Sequence, residues 1–427
     1  MKAFSQKSQF FQNIVLILGS SSFAQFIPII FSPILTRIYT PENFGIFGIY
    51  VAIVSILSVV ISFRYELAIL LPKDETNAIH ILVLTQIISA VNTLFYLALA
   101  IILSKIFERY DLFPNISEYL LFLPLNAFIL GITQGITFWL NRKQRFKIQA
   151  VSKVVQSALT VTVTLILGYF KFGARGLILG WLSGQILFII PLVINLLIED
   201  KYHFGALKLK QILYMAKTYK NFPKINTIHA LVTSFTVNLP VIIIEKFFSP
   251  YAAGLYMLCI RVVYTPISLI STSLSQVINP YLAKLYNAKE NVHEFMKRLI
   301  KKLLFFSGAP FILMIFFATL LFRIIFGNVW TEAGKYFQLL SPFFFMSLLT
   351  SPFSFIPMIV NLQKKAFYIE LIYLVLRLCG FFIGIYFMNI EIALILYSIS
   401  GVMVLSYNLN WYLNLAKGAR QESTVLS

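Results

Sequence analysis

Leu35-Thr36-Arg37-Ile38-Tyr39-Thr40-Pro41-Glu42-Asn43-Phe44-Gly45 has a weaker echo 209 residues on, Ile244-Glu245-Lys246-Phe247-Phe248-Ser249-Pro250-Tyr251-Ala252-Ala253-Gly254. In both stretches a long apolar run ends, a few polar residues turn the chain, and a second apolar run begins. The Pro sits where a new helix starts, because its missing N–H is no loss in a first turn. Each copy reads as the tight corner between two membrane helices, and the pair reads as the trace of an internal duplication.

Composition fixes the class around these corners. Hydrophobic residues make up 59% of the chain and charged residues 12%, against roughly 25% charged in an average soluble domain. Apolar runs of about 20 residues, the length a helix needs to cross hydrocarbon, recur from end to end. The net charge of +19 lies in short clusters between those runs rather than on a soluble domain. It therefore points to anionic headgroups and membrane orientation, not to nucleic acid. Cys259 and Cys379 fall inside expected spans without metal-ligand spacing, and His80, His203, His229 and His293 are scattered. Neither set calls for a metal or cofactor. No GxxxxGK[ST] motif is present, which argues against ATP hydrolysis.

Twelve spans follow from the hydropathy, at roughly 10–37, 43–71, 79–104, 118–141, 148–171 and 175–198, then 225–247, 251–284, 299–323, 334–361, 366–388 and 391–416. This divides the chain into an N-terminal six-helix bundle, 1–198, a basic linker, 199–224, and a C-terminal six-helix bundle, 225–427. The eighth span is longer than a bilayer requires, so it must tilt, kink near Pro266 or Pro280, or project from the membrane. The N-terminal run reads as a retained first span rather than a removed signal. Further support for duplication comes from Asn141-Arg142-Lys143-Gln144 at the end of the fourth span and Asn361-Leu362-Gln363-Lys364-Lys365 at the end of the tenth.

Orientation follows from counting Lys and Arg. One side collects Lys2, Lys7, Lys73, Arg142, Lys143, Arg145, Lys147, the six lysines from Lys201 to Lys224, the group from Lys284 to Lys302, Lys364, Lys365, Lys417 and Arg420. The other side has roughly a third as many, which predicts that both termini and the linker are cytoplasmic. Six spans separate the two corners, so the halves are predicted to lie parallel.

The candidate chemistry lies on helix faces. In the second span Gly45, Gly48, Ala52, Ser55, Ser62 and Glu66 fall on one stripe. In the eighth, Gly254, Met257, Arg261, Thr265, Ser268, Thr272, Ser275 and Asn279 repeat it, with Gly45 meeting Gly254 and Glu66 meeting Ser275. The first span adds Ser21, Gln25 and Ser32, and the seventh adds Ser234, Asn238 and Glu245. A plainer reading is that small residues let helices approach and hydroxyls bond their own backbone, but it explains the charges poorly.

A charge in hydrocarbon costs about 2.5–3.5 kcal/mol on insertion scales, so each needs a reason. Arg261 lies about nine residues into its span, about 14 Å along the axis, with Met257 and Thr265 one turn to either side. It is the leading candidate for a cation facing a cavity. Glu66 is close enough to Pro72 to snorkel to the cytoplasmic face instead. Arg64, two positions before Glu66, belongs on nearly the opposite face of a continuous helix. Arg377 sits mid-way in the eleventh span, with Glu370 two turns before it. An ion pair, lipid contact and transport all fit it.

Pro33-Ile34-Leu35-Thr36-Arg37-Ile38-Tyr39-Thr40-Pro41-Glu42-Asn43-Phe44-Gly45-Ile46-Phe47, followed by Phe63-Arg64-Tyr65-Glu66-Leu67-Ala68-Ile69-Leu70-Leu71-Pro72, resembles the N-terminal signature of the polysaccharide transporters. These are the bacterial O-antigen and capsule repeat-unit flippases of the multidrug/oligosaccharidyl-lipid/polysaccharide exporter superfamily. The resemblance implies an all-α integral membrane fold of about 12 transmembrane helices, in two parallel six-helix bundles around a central cavity that opens alternately to the two sides. It implies a flippase, not an enzyme, in the bacterial cytoplasmic membrane. The implied substrate is an undecaprenyl-diphosphate-linked glycan, with a glycan polymerase and other assembly proteins as partners. Arg261, Glu66, Arg64, Gln25, Asn238, Ser234, Thr265 and Ser268 are then the candidate cavity residues: guanidinium for diphosphate, hydroxyls and amides for sugar. A drug or metabolite antiporter of the same superfamily is the nearest alternative. A membrane glycan polymerase is less favoured, because loops here reach only about 15–25 residues and leave no periplasmic domain to carry a catalytic site.

Overall fold

The computed structural model describes residue 19 and residues 23–110, 114–205, 207–288 and 291–424. Most of the first span's leading half, Ser21 included, lies outside the described residues. Among them the fold is helical throughout, and eleven helices are long and apolar enough to cross a membrane. A shorter apolar helix, α1 (Phe23–Ile38), precedes them. The first-half helices are α2 (Pro41–Val60), α3 (Glu75–Tyr110), α4 (Phe122–Arg142), α5 (Phe146–Tyr169) and α6 (Ala174–Glu199). A short helix α7 (Leu209–Thr218) leads into α8 (Thr227–Phe247). Next come α9 (Pro250–Cys259), a π turn (Ile260–Tyr264), α10 (Thr265–Asn287), α11 (Val292–Phe326), α12 (Thr331–Thr350), α13 (Gln363–Tyr386) and α14 (Ile390–Thr424).

Both corners form as their sequences require. Thr40 is held extended (ψ 164°) ahead of Pro41 and Ser249 ahead of Pro250, as a residue before proline must be, and each Pro opens a helix. Ser249 Oγ also accepts from Ala252 N–H at 3.0 Å, capping one of the donors a helix start leaves open.

The duplication is visible in the backbone. Outside the second span, Gln144, Lys171, Asn361 and Met388 are the remaining non-glycine residues in the left-handed region among those described. They pair as Gln144 with Asn361 and Lys171 with Met388, each 217 residues apart. At that offset α13 matches α5 at both ends, and α11 starts where α3 does. The corners keep the offset of 209, so the eight extra residues of the second half (217 less 209) all fall between Pro250 and Val292. They make the eighth span, Pro250 to Asn287, eight residues longer than its counterpart, which runs from Pro41 through a break after Val60 to the end of the 3-10 segment at Leu70.

Two expected spans are not uniform helices. The second, predicted at 43–71, ends at Val60, turns through Phe63 (φ 47°) and Arg64 (φ 61°), and resumes as a 3-10 segment, Tyr65–Leu70. Ser62 and Glu66 therefore leave the stripe begun by Gly45. The eighth carries its π turn just before Pro266, where the ring displaces the carbonyl one turn back and removes a donor. The wider turn shifts Gly254 and Met257 around the axis relative to Thr265 and Ser268, so the two stripes do not stay in register.

By compactness the chain divides after Lys246, which counts α8 with the first unit. In that unit Ile242 of α8 packs against the cluster of Ile49, Tyr50, Tyr119 and Ile178. The α5–α6 hairpin closes on glycines spaced four apart, a small-residue interface typical of membrane helices. A Cβ on Gly180 would meet Thr164 Oγ1 at 2.1 Å, and one on Gly184 would meet Thr160 Oγ1 at 1.8 Å. In the second unit the α13–α14 hairpin uses the other helix: a Cβ on Gly384 would meet the Ala393 backbone at 2.7 Å. Gly180→Leu should force the hairpin apart. The expected result is membrane abundance reduced severalfold on immunoblotting, whereas Leu at exposed Ile186 on the same helix should be neutral.

Candidate functional site

The break in the second span builds a charged site inside the first unit. Two adjacent left-handed residues without glycine are strained, and such strain persists only where surroundings over-determine it. Here α3 does so. Asn92 Nδ2 donates to the carbonyls of Val60 (3.3 Å) and Ile61 (3.0 Å), and Tyr96 Oη donates to Leu57 O (3.2 Å). These side chains brace the carbonyls of the last helical turn, of which Leu57 O and Val60 O also accept the backbone N–H groups of Ile61 and Phe63 at 3.0 Å.

The reversal turns Arg64 back onto Glu66, instead of setting the two on opposite faces as a continuous helix would. Arg64 Nη1 lies 3.5 Å from Glu66 Oε1, and Ser62 Oγ donates to Glu66 Oε2 at 2.5 Å. Glu66 is wholly buried, so it does not snorkel to a membrane face. Arg64 is 29% exposed. Arg64 Nε and Glu66 Oε1 make no hydrogen bond within the protein. The pair is thus a long coulombic contact whose two unpartnered atoms, Arg64 Nε and Glu66 Oε1, are both buried, while the Arg64 side chain as a whole stays partly exposed.

The other sequence candidates are spread between the units. In the first, Gln25 is half-buried on α1, and Ser234 and Asn238 are half-buried on α8. Asn238 Nδ2 donates to Ser234 O at 2.9 Å and Ser234 Oγ at 3.3 Å. In the second, Thr265 Oγ1 donates to Ile260 O (3.1 Å) and Ser268 Oγ to Thr265 O (2.8 Å), so these hydroxyls bond their own helix. Arg261 is half-buried inside the π turn, a helix irregularity frequent at functional sites.

Two clusters were not foreseen. Arg377 is 5% exposed, which excludes the lipid contact weighed for it. Its guanidinium lies 3.9 Å from the ring centre of Tyr373, 4.2 Å from Tyr397 and 4.9 Å from Phe343, and it donates to the Tyr373 hydroxyl. A desolvated cation–π contact contributes up to about 2 kcal/mol. Two or three faces therefore offset an insertion cost of about 3 kcal/mol. The i, i+4 spacing of Tyr373 was readable, but the rings from α12 and α14 were not.

The second cluster gathers at the end of the first unit where α4 stops and α6 runs into the linker. Asp200 is fully buried. Arg145 grips it with Nη1 on Oδ2 at 2.7 Å and Nη2 on Oδ1 at 3.2 Å, Trp139 Nε1 donates to Oδ2 at 3.0 Å, and Lys143 Nζ is 3.6 Å away. Lys143 also pairs with Glu75 at 2.6 Å, while Arg142 donates to the carbonyls of Ile69 and Lys73. Three of the four basic residues between Arg142 and Lys147 are therefore paired inside the protein. Among the described residues no His, Cys, Asp and Glu side chains gather into a metal site.

With this architecture in view, comparison with solved structures is informative. The lipid II flippase MurJ, in an inward closed conformation, aligns with a TM-score of 0.72 at 16% identity, covering 97% of this chain and 91% of that one. A MOP-superfamily transporter from Pyrococcus furiosus aligns at 0.64 and 13% identity, and an inward-facing multidrug resistance MATE transporter at 0.63 and 12%, each covering 96% of both chains. The fold is that of the MOP-superfamily transporters. Residues 34–335 match the family described as polysaccharide biosynthesis protein, and the chain belongs to that family. No curated protein matches the sequence.

Proposed function

We propose that this chain is a flippase that carries undecaprenyl-diphosphate-linked oligosaccharide repeat units across the bacterial cytoplasmic membrane by alternating access. A diphosphate and sugar headgroup cannot cross hydrocarbon unaided, whereas the polyprenyl tail is at home there, so the protein need shelter only the head. The observation that carries this reading is the Arg64–Glu66 pair. A guanidinium held by one carboxylate at 3.5 Å, with its Nε free of protein acceptors, can be taken over by a doubly charged diphosphate that offers bidentate oxygens. Membership of a polysaccharide biosynthesis family and the likeness to a lipid II flippase support the same substrate class. On this reading α8 is the counterpart of α1, the bundles are 1–198 and 225–427 joined by 199–224, and Arg261, Gln25, Ser234, Asn238, Thr265 and Ser268 complete the substrate path. O-antigen or other lipopolysaccharide repeats are the expected cargo, with a glycan polymerase as neighbour.

The test is reconstitution into liposomes with a lipid-linked oligosaccharide, scored by exposure of the sugar to an external modifying enzyme. Protein-dependent exposure supports the reading, and its absence with a folded protein removes it. The likeness to multidrug transporters, together with a wholly buried Glu66, favours a second reading, export of an amphipathic cation. Cation movement without glycan movement in the same liposomes selects it.

Two further results are expected. Reporters after Lys210 and at the C-terminus should be cytoplasmic, and one between Glu108 and Asn115 periplasmic; a periplasmic linker would overturn the orientation. Glu66→Gln keeps an acceptor for Ser62 but removes the charge that holds Arg64. Export should then lose its dependence on a pH gradient with abundance unchanged, and retained dependence reduces Glu66 to a packing residue.

A further inference from the structure

The linker between the halves contains a helix with two apolar faces, only one of which the protein covers. On α7, at 100° per residue, Gln211, Ile212, Met215 and Ala216 share one arc, and Leu209, Lys210, Leu213, Tyr214 and Lys217 share the other. The first arc is moored to the first unit. Ile212 packs with Tyr65 and Leu84, Gln211 Nε2 donates to Asn77 Oδ1 at 2.9 Å, and Tyr65 Oη donates to Ala216 O at 2.9 Å. Just before the helix, Lys208 N–H donates to His80 Nε2 at 3.1 Å. The second arc is bare: Leu209 is 68% exposed, Leu213 61% and Tyr214 60%.

Three large apolar side chains on one free face of a ten-residue helix call for a partner. What surrounds them names its chemistry. Six lysines and no acidic residue lie between Lys201 and Asn226, and Lys210 and Lys217 stand beside Leu213 on the same arc. The linker also leaves and re-enters apolar membrane helices, with Ile198 at the end of α6 and Ile225 before α8 both exposed. The linker thus joins the ends of two apolar helices, with exposed apolar side chains on either side of its free face. Apolar side chains that insert, flanked by lysines that meet phosphate, are the pattern of an interfacial helix.

We infer that α7 docks its Leu209–Leu213–Tyr214 face onto anionic phospholipid headgroups of the adjacent bilayer leaflet. The Tyr65–Ala216 bond ties the docked helix to the 3-10 segment that begins one residue after Arg64. The position of the helix on the lipid thus bears directly on the strained turn. The inference concerns lipid contact alone and stands whether or not the transported substrate is a glycan.

The test uses the full chain with Cys379→Ser, the buried Cys259 left in place, and a nitroxide at Leu213→Cys. Protein in phosphatidylcholine nanodiscs is compared with protein in nanodiscs that also contain phosphatidylglycerol. The expected result is a shift of the label from contact with aqueous nickel to contact with membrane oxygen when the anionic lipid is present. The shift should be lost in the Lys210→Gln, Lys217→Gln, Lys220→Gln variant. A label that stays in water in both lipids overturns the inference. So does immersion indifferent to lipid charge, or spin–spin broadening that shows a second copy on the face. The lipid comparison needs no lysine substitution, so it decides the matter even if the triple variant is scarce.

Discussion

Arg261→Ala is expected to abolish glycan export while membrane abundance stays normal, and Arg261→Lys is expected to retain part of it. The guanidinium enters a helix of apolar composition about 16 Å from its first residue, at 1.5 Å per residue, too deep for an easy escape to the interface. It also sits in the π turn, where the widened ring of backbone presents the side chain at an angle a regular helix would not. Two charge-assisted hydrogen bonds to a diphosphate contribute about 1.5–3 kcal/mol each, so losing both lowers affinity by at least about 100-fold. Lysine restores the charge but not the planar fork, hence partial activity. If Arg261 instead holds the protein together, the alanine variant will be scarce in membranes. A stable Arg261→Ala protein with full export sinks both accounts, and transport assays run beside immunoblots separate the three outcomes.

The architecture was legible because membrane helices announce themselves by length and apolarity, and because both corners carry hydroxyl-Pro. The duplication was legible for the same reason, although the offset of 217 beyond the second span needed the backbone. The site was less so. Nothing in Val60-Ile61-Ser62-Phe63-Arg64 marks a break: no glycine or proline is present, and the apolar run continues to Leu71. The turn is imposed by Asn92 and Tyr96 from the next helix, a tertiary decision that local sequence does not record. A straight helix was the right local inference and the wrong global one, and it put Arg64 and Glu66 on opposite faces. The π turn was half-signalled, since Pro266 had to disturb the helix somewhere. The ring cage of Arg377 draws on three helices, so only its Tyr373 wall was within reach of spacing arguments.

The Asp200 cluster was hidden in another way. Arg142, Lys143 and Arg145 fit the orientation rule by position alone, yet Lys143 and Arg145 also neutralise a buried aspartate at the mouth of the basic linker. Asp200→Ala is expected to be the most destabilising single change in the first unit. Asp200 is buried and receives Arg145 in two hydrogen bonds and Trp139 in one. Removing one partner of a buried pair costs about 3–5 kcal/mol, because the other charge stays where it is without compensation. Lys143 will suffer least, since Glu75 already holds it at 2.6 Å. The loss therefore falls on Arg145, which keeps only Asn195 Oδ1 at 3.1 Å, and on the buried indole N–H. Asp200→Asn preserves an acceptor for Trp139 and should lie between parent and alanine variant. Arg145→Met combined with Asp200→Leu removes both charges at once and should recover much of the loss, as apolar replacements of buried ion pairs often do. The measurements are apparent melting temperature in detergent, followed by intrinsic fluorescence, and membrane abundance. An alanine variant that melts with the parent would show that the cluster only decorates the end of the helices. A double variant no better than Asp200→Ala would show that packing of the aspartate, rather than its charge, holds α4, α6 and the start of the linker together.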